Sequence, residues 1–501
     1  MTTQNATIGG DGESVSVEKA YNKPTNSPRC YAQIKALAKA TGRNIPDMLA
    51  MACNNDPFYI MPSQENQAKW FAELWKQFAF PIGVHLRRIH YRLVSLPSGE
   101  IVIIIDGNPR HYQNTELCWQ YLGSASKAAR CLSLVEPDAF VDQRNPDPVL
   151  HRDYPERHDP RLRFDWEYLN DDPWDLPRID AELADDLTWS LPDFDTTGYG
   201  AGAHDDPFHL ELISEKSTMD DVVIPLCKEL AINYAPATGF QSITGVIGLL
   251  KRLRQANKPG VVFYVSDFDP AGSFMPPSVA RQIEFWRPVF APGLDIVLLP
   301  IALTKEQVIH YGLPPIPIKE SDKRQDNFLE KYGVQGATEL DALEALHPGE
   351  LRKIIRQAVN PYLDTNARSK PRWIEHKADE QVKNQWSAIC RPYQWRLERL
   401  QEQASDIIES YQGELEQLRD AMNEELQPVK QALESLQLAI NADADEFDPI
   451  LPDRYESPIK LPDRFNGLFD SRRSYLEQIK FYNAGKLKAK RKKAKSGEES
   501  T

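Results

Sequence analysis

Apolar positions along this chain follow two rhythms. Between residues 209 and 265 they come in short runs, His209-Leu-Glu-Leu-Ile-Ser214 and Val261-Val-Phe-Tyr-Val265, with a shorter stretch at 231–236 between them. Runs of this length, bounded by turn residues, predict strands, the 261–265 run being buried on both faces of a parallel sheet. Residues 222–230 and 246–255 predict the intervening helices. Elsewhere the rhythm is helical, at 31–51 and 68–80, and again around Leu86, Ile89 and Leu93, which form one buried stripe. At about 100° per residue, Tyr91 and Arg87 fall about 40° apart on the opposite face, flanked by Arg88 and His90. Residues 99–105 read as a strand and 115–130 as a helix. Helix, short strand and helix in a compact unit suggest a winged helix-turn-helix, a form that docks on duplex DNA. From Leu400 to Ile440 apolar residues recur at spacings of three and four, a heptad seam. Pro428 lies inside that seam and is expected to kink or break it. Two packed helices follow, either a hairpin within the chain or a pair across a dimer, acting as an assembly arm or as a buttress.

The chemistry lies where the strands end. The run at 261–265 stops at Asp267-Phe-Asp269, followed by Pro270 and Gly272, and the run at 209–214 stops at Glu215. In open α/β sheets, ligands sit at the carboxyl ends of the strands. Carboxylates crowded there repel one another, which a divalent metal relieves. Ser217/Asp220 and Thr218/Asp221 fit the capping pattern that starts a helix directly after Glu215. One glutamate, a βαβα unit and then Asp-x-Asp resembles the Toprim fold, which binds Mg²⁺ in topoisomerases, primases and some nucleases.

Charge refines the picture. The 501 residues suit two or three domains, and the formal net charge is −14. Residues 136–221 hold 24 Asp or Glu against 7 Lys or Arg, so the remainder is slightly basic. Overall acidity therefore does not exclude DNA. The segment 165–195 reads as a solvated, poorly structured insertion or as a DNA-mimicking flap over a basic groove. Residues 486–495 carry seven basic residues in ten, a tail that attracts phosphate without reading sequence or simply aids solubility. Six scattered cysteines show no metal-ligand spacing, and no apolar run approaches a membrane span. A soluble cytoplasmic protein is expected, with no membrane partner.

Arg87-x-x-x-Tyr91, Tyr121, Arg130 and Asp142-x-Arg144, placed ahead of the Glu215 and Asp267-x-Asp269 block, resemble the winged-helix (5Y-CAP) and Toprim domains of the topoisomerase VI A-subunit family. The stand-alone mini-A proteins of plasmids, phages and bacteria are most similar. The resemblance covers roughly residues 75–360 and includes Ile301-Ala-Leu-Thr304, Tyr311-Gly-Leu-Pro314, Lys319-Glu-Ser-Asp-Lys-Arg324 and Glu339-Leu-Asp-Ala-Leu343. Together with composition and periodicity, it divides the chain into six segments: 1–70 polar tail and helices, 71–150 winged helix, 151–205 acidic insertion, 206–365 Toprim, 366–445 helical arm, and 446–501 ending in the basic tail. Three features depart from the family: His90 where an aromatic precedes the nucleophile, the acidic insertion, and the arm with its basic C-terminus.

The resemblance implies Mg²⁺-dependent cleavage of double-stranded DNA. Tyr91 would attack the backbone to leave a 5′-phosphotyrosine, with Arg87 stabilising charge on the phosphate. Asp267 and Asp269 are the expected metal ligands, and Glu215 is either a third ligand or a general acid. Arg88, Lys216, Lys319, Lys323 and Arg324 are candidate DNA contacts. In relatives the tyrosine of one protomer meets the metal of the other, so a homodimer is implied. No segment resembles the Bergerat-type (GHKL) ATPase of a B subunit, so strand passage would need a separate ATPase partner. Two other readings stay open: a Toprim nuclease with water as nucleophile, in defence or plasmid maintenance, and a non-catalytic DNA-binding protein.

Overall fold

The computed structural model describes residues 28, 30–51, 56–97, 99–141, 145–152, 160–165, 187, 189–199, 206–237, 242–318, 322, 324–367, 369–411, 419–463 and 465–483. The architecture is mixed α/β. The chain divides into two compact units, one comprising Met1–Tyr154, Pro207–Leu363 and Ile459–Thr501, the other Pro155–Asp206 and Asp364–Pro458.

The first unit opens with α1 (Tyr31–Thr41) and α2 (Pro62–Gln77). The helix expected over 31–51 stops early because Gly42 takes a left-handed conformation (φ 63°), and only a single turn, Ile45–Met48, follows. The next helix starts ahead of the expected 68, at Pro62, where proline suits a first helical position. Helix α3 (Leu86–Val94) buries Ile89 and Leu93 as its stripe requires. It also buries His90, which the helical wheel set on the polar flank. The imidazole Nδ1 lies 2.7 Å from Tyr112 Oη and Nε2 lies 3.2 Å from Asn114 Oδ1, so partners from a later segment draw it inward. Strands β1 (Val102–Ile105) and β2 (Asn108–His111) form an antiparallel hairpin. Its turn is Asp106-Gly107, both with positive φ, as a two-residue turn of this hand demands. Helix α4 (Glu116–Cys131) begins at Thr115, whose hydroxyl accepts from the Cys118 amide.

In the second unit, β3 (Arg161–Asp165) pairs antiparallel with β4 (Asp193–Thr197). The described part of the acidic segment is thus structured rather than solvated coil; residues 166–186 lie outside the described residues.

The first unit resumes with β5 (His209–Ser214), α5 (Asp220–Leu230), β6 (Asn233–Pro236), α6 (Ile243–Ala256), β7 (Gly260–Val265), α7 (Met275–Phe290) and β8 (Ile296–Ala302). With β9 (Phe469–Asp470) these strands form a five-stranded sheet in the order β6-β5-β7-β8-β9, parallel except for β9. Alternation along β7 divides the core. Val262 and Tyr264 pack with α6 and α7, while Val261, Phe263 and Val265 pack with α5 and later helices. A sheet covered on both faces needs apolar residues at every strand position, which is why these runs are continuous. The capping expectation at Ser217 and Thr218 is not met. Ser217–Met219 forms a single 3₁₀ turn, and α5 starts from Met219 with no side-chain cap. The Thr218 hydroxyl is directed to Asp341, and Asp220 accepts from the Tyr234 hydroxyl. Short helices α8 (Lys305–His310), α9 (Gln325–Tyr332), α10 (Leu340–Leu346) and α11 (Glu350–Val359) complete this layer.

Within the second unit, α12 (Lys370–Tyr411) and α13 (Arg419–Glu446) share a core of Leu397, Ala404, Met422, Leu426, Val429, Leu433, Leu436 and Ile440, with Trp189 added from the acidic segment. The two helices therefore pack within one chain. Pro428 neither ends nor divides α13. Pro428 itself is exposed, while Leu426 and Val429 on either side of it are buried in the core shared with α12. The C-terminal segment returns to the first unit, where the Tyr475 hydroxyl donates to Met48 O and Arg281 bonds both Tyr475 and Asp56. The basic run 486–495 lies outside the described residues. Among the described residues, the cysteines are free thiols and no helix is long and apolar enough to cross a membrane.

Candidate functional site

Three parallel strand ends assemble the site. The Glu215 amide donates to Val265 O, the Ser266 amide to Ala302 O, and the Phe268 amide exchanges bonds with Thr338. These bonds fix Glu215, Asp267 and the segment before α10 beside one another. Asp267 is buried, and its Oδ1 accepts from the Leu340 amide at 2.8 Å. Asp269 Oδ1 accepts from the Gly272 amide at 2.5 Å, closing a tight turn. A Cβ at Gly272 would meet Asp267 O at 2.2 Å, so only glycine fits here.

Glu215 differs from its neighbours. Its Oε2 is buried and has no hydrogen-bond partner. Burial, reinforced by the charges of Asp267 and Asp269, pushes its carboxyl up to about 7. Burial also raises Asp267, against the Leu340 amide and the Lys216 ammonium, which both favour its charged form. Lys216 Nζ stands 3.1 Å from Asp267 Oδ2, 3.4 Å from Asp341 Oδ2 and 3.6 Å from Glu339 Oε1. Arg324 forms a bidentate pair with Asp322 and lies near enough for its charge to be felt by Asp269 and Glu215.

Lys216, read from sequence as a DNA contact, therefore sits among carboxylates. Lys319 and Lys323 lie outside the described residues. Glu339 and Asp341 are additions: their acidic spacing is visible in the sequence, but only the Phe268–Thr338 pairing shows that they reach this strand end. Among the described residues no three His, Cys, Asp or Glu side chains form a ready metal-ligand group. The donors are nonetheless hard carboxylate oxygens, one of them buried without a partner. Such a set fits a hard divalent cation such as Mg²⁺.

The tyrosine stands on another element. Tyr91 is 56% exposed on α3, its ring edge-on to His90 at 5.4 Å. Arg87 and Arg88 are exposed on the same helix. Arg87 lines a cleft of about 450 Å³ with Trp119, Arg130, Phe140 and Ser242. Among the described residues, the ring contact of Tyr91 is with His90. In comparison with known proteins, the chain matches no family model and no curated sequence.

Proposed function

We propose that this chain cleaves DNA in the manner of a topoisomerase VI A subunit, with a winged-helix domain presenting Tyr91 and a Toprim domain presenting the carboxylates. The observation that carries this reading is the strand-end cluster, with Glu215, unpartnered at Oε2 and raised by burial and by the charges of Asp267 and Asp269, in the same compact unit as an exposed tyrosine beside two arginines. Tyr91 Oη attacks phosphorus as its own proton passes to water, and the bond to O3′ breaks, leaving a 5′-phosphotyrosine and a 3′-hydroxyl. The departing O3′ needs a proton, which the Glu215 carboxyl holds near neutrality. Arg87 stabilises charge on the non-bridging oxygens. Asp267 and Asp269, with Glu215 when it is ionised, would hold Mg²⁺, which supplies further stabilisation of phosphate charge. Two copies are the expected catalytic unit, because in the resembled family the tyrosine of one protomer meets the metal of the other.

A second reading draws on the Glu215 carboxyl without the tyrosine. A carboxyl with a pKa near 7 also suits activation of water, which would make the cluster a hydrolytic nuclease without Tyr91. Incubation with plasmid DNA and Mg²⁺, followed by denaturant quenching, distinguishes the two. Breaks with protein attached to DNA ends, absent in Tyr91→Phe and in EDTA, are expected. Metal-dependent cutting that persists in Tyr91→Phe overturns the tyrosine reading in favour of hydrolysis.

A further inference from the structure

A cation of the protein's own already stands among the carboxylates. Lys216 follows Glu215 directly, so one strand end presents both the unpartnered carboxylate oxygen and an ammonium that satisfies Asp267. The ammonium serves three carboxylates at 3.1 to 3.6 Å. Two of the three, Glu339 and Asp341, are half-exposed, while Asp267 is buried. The Lys216 side chain is itself 23% exposed, which leaves the ammonium a route out. A lysine is a compact charge on a flexible four-carbon stem, suited to leaving one set of oxygens for another. Arg324 is less free to do this, because its guanidinium is clamped by Asp322.

We propose that Lys216 is a surrogate cation, neutralising Asp267, Glu339 and Asp341 when no divalent ion is bound and giving up Asp267 when one binds. The inference rests on the metal reading above and deepens it. Lys216 lets the carboxylates stay folded together without metal and, by competing for Asp267, keeps metal affinity low. Once displaced, its ammonium is available to a DNA phosphate, so its place in the ion-pair cluster and its candidate role in DNA binding become two states of one side chain.

Titration of the full chain with Mn²⁺ by calorimetry, without DNA, tests this directly. Lys216→Met is expected to bind Mn²⁺ about tenfold more tightly than wild type, and Lys216→Arg within about threefold of it, because only the first removes the competing charge. Without metal, Lys216→Met is expected to melt below wild type and to gain more on adding Mn²⁺. Equal or weaker Mn²⁺ binding by Lys216→Met, with wild type binding normally, overturns the surrogate role and leaves the metal site standing. No Mn²⁺ binding by wild type overturns the metal reading and the surrogate role with it. A Lys216→Met chain that folds only with Mn²⁺ supports the proposal; one that folds in neither condition, while Lys216→Arg folds, marks Lys216 as structural and overturns it.

Discussion

Two glutamates four residues apart on one strand, and its continuation, ionise in opposite senses. Burial alone would raise Glu211, but the Arg252 guanidinium and the His209 ring outweigh it and hold the carboxyl at about 2. Glu215 has no such partner at Oε2 and rises to about 7. The consequences for stability have opposite signs. Glu211 contributes stability that is present above the ordinary carboxyl range and lost as pH falls towards 2. Glu215 binds its proton more tightly folded than unfolded, so stability falls as pH rises from about 4.5 to about 7. Glu215→Gln is therefore expected to raise the metal-free melting temperature clearly at pH 8 and much less at pH 5, as thermal melts at the two values will show. The same substitution removes the proposed acid for the 3′-oxygen, and cleavage is expected to fall by about 10²–10⁴-fold. Asp267-Phe-Asp269 and Glu215 were legible because each follows a strand-length apolar run and precedes a helix or turn. The partners were not. Arg252 is about forty residues, and Glu339 and Asp341 more than a hundred, away from the groups they meet, and only the fold brings them together.

At the scale of elements, the helix that carries Tyr91 owes its setting to a residue the periodicity misplaced. A wheel assigns a face by hydrophobicity, and histidine is polar by that measure. His90 is nevertheless buried, because Tyr112 and Asn114 after the β1–β2 hairpin supply its hydrogen bonds. His90→Phe restores the aromatic of the resembled family but leaves the buried Tyr112 hydroxyl without this partner. The expected cost is about 1–3 kcal/mol in denaturant unfolding, since an unsatisfied buried group bears its full desolvation penalty. Tyr91 on the same helix should then be less firmly held, and trapped adduct should fall even with Tyr91 intact. Helix ends were legible where glycine or proline marks them, as at Gly42 and Pro62. Pro428, expected to kink or break the seam, does not break its helix. Local backbone chemistry argues for a break, while the apolar seam shared by α12 and α13 holds the helix through it.

At the scale of the molecule, the chain leaves its first unit twice to build the second, once through the acidic segment and once through the helical arm. Composition separated these stretches, but not that they would fold together, because Trp189 and the arm residues it joins are some two hundred positions apart. Nor did composition show that residues 459–483 return to add β9 and anchor Tyr475 at Met48. Charge distribution remains the guide to the partner. With the basic run 486–495 removed, duplex binding is expected to weaken and the slope of log affinity against log salt to flatten by up to about six, close to 0.9 for each phosphate the tail had neutralised. Fluorescence anisotropy across a salt series measures it, and an unchanged slope would show that the tail does not meet the duplex. Without a separate ATPase, breakage and rejoining are expected, but not ATP-driven strand passage.

The most direct measurement is to map the covalent adduct. The full chain is incubated with duplex DNA and Mg²⁺, quenched in denaturant, digested with nuclease and protease, and its peptides are weighed by mass spectrometry. A nucleotide joined through a 5′-phosphate to the peptide containing Tyr91 is the expected result. DNA cut in the same reaction with the Tyr91 peptide unmodified, or with the adduct on another residue, would contradict Tyr91 as the nucleophile.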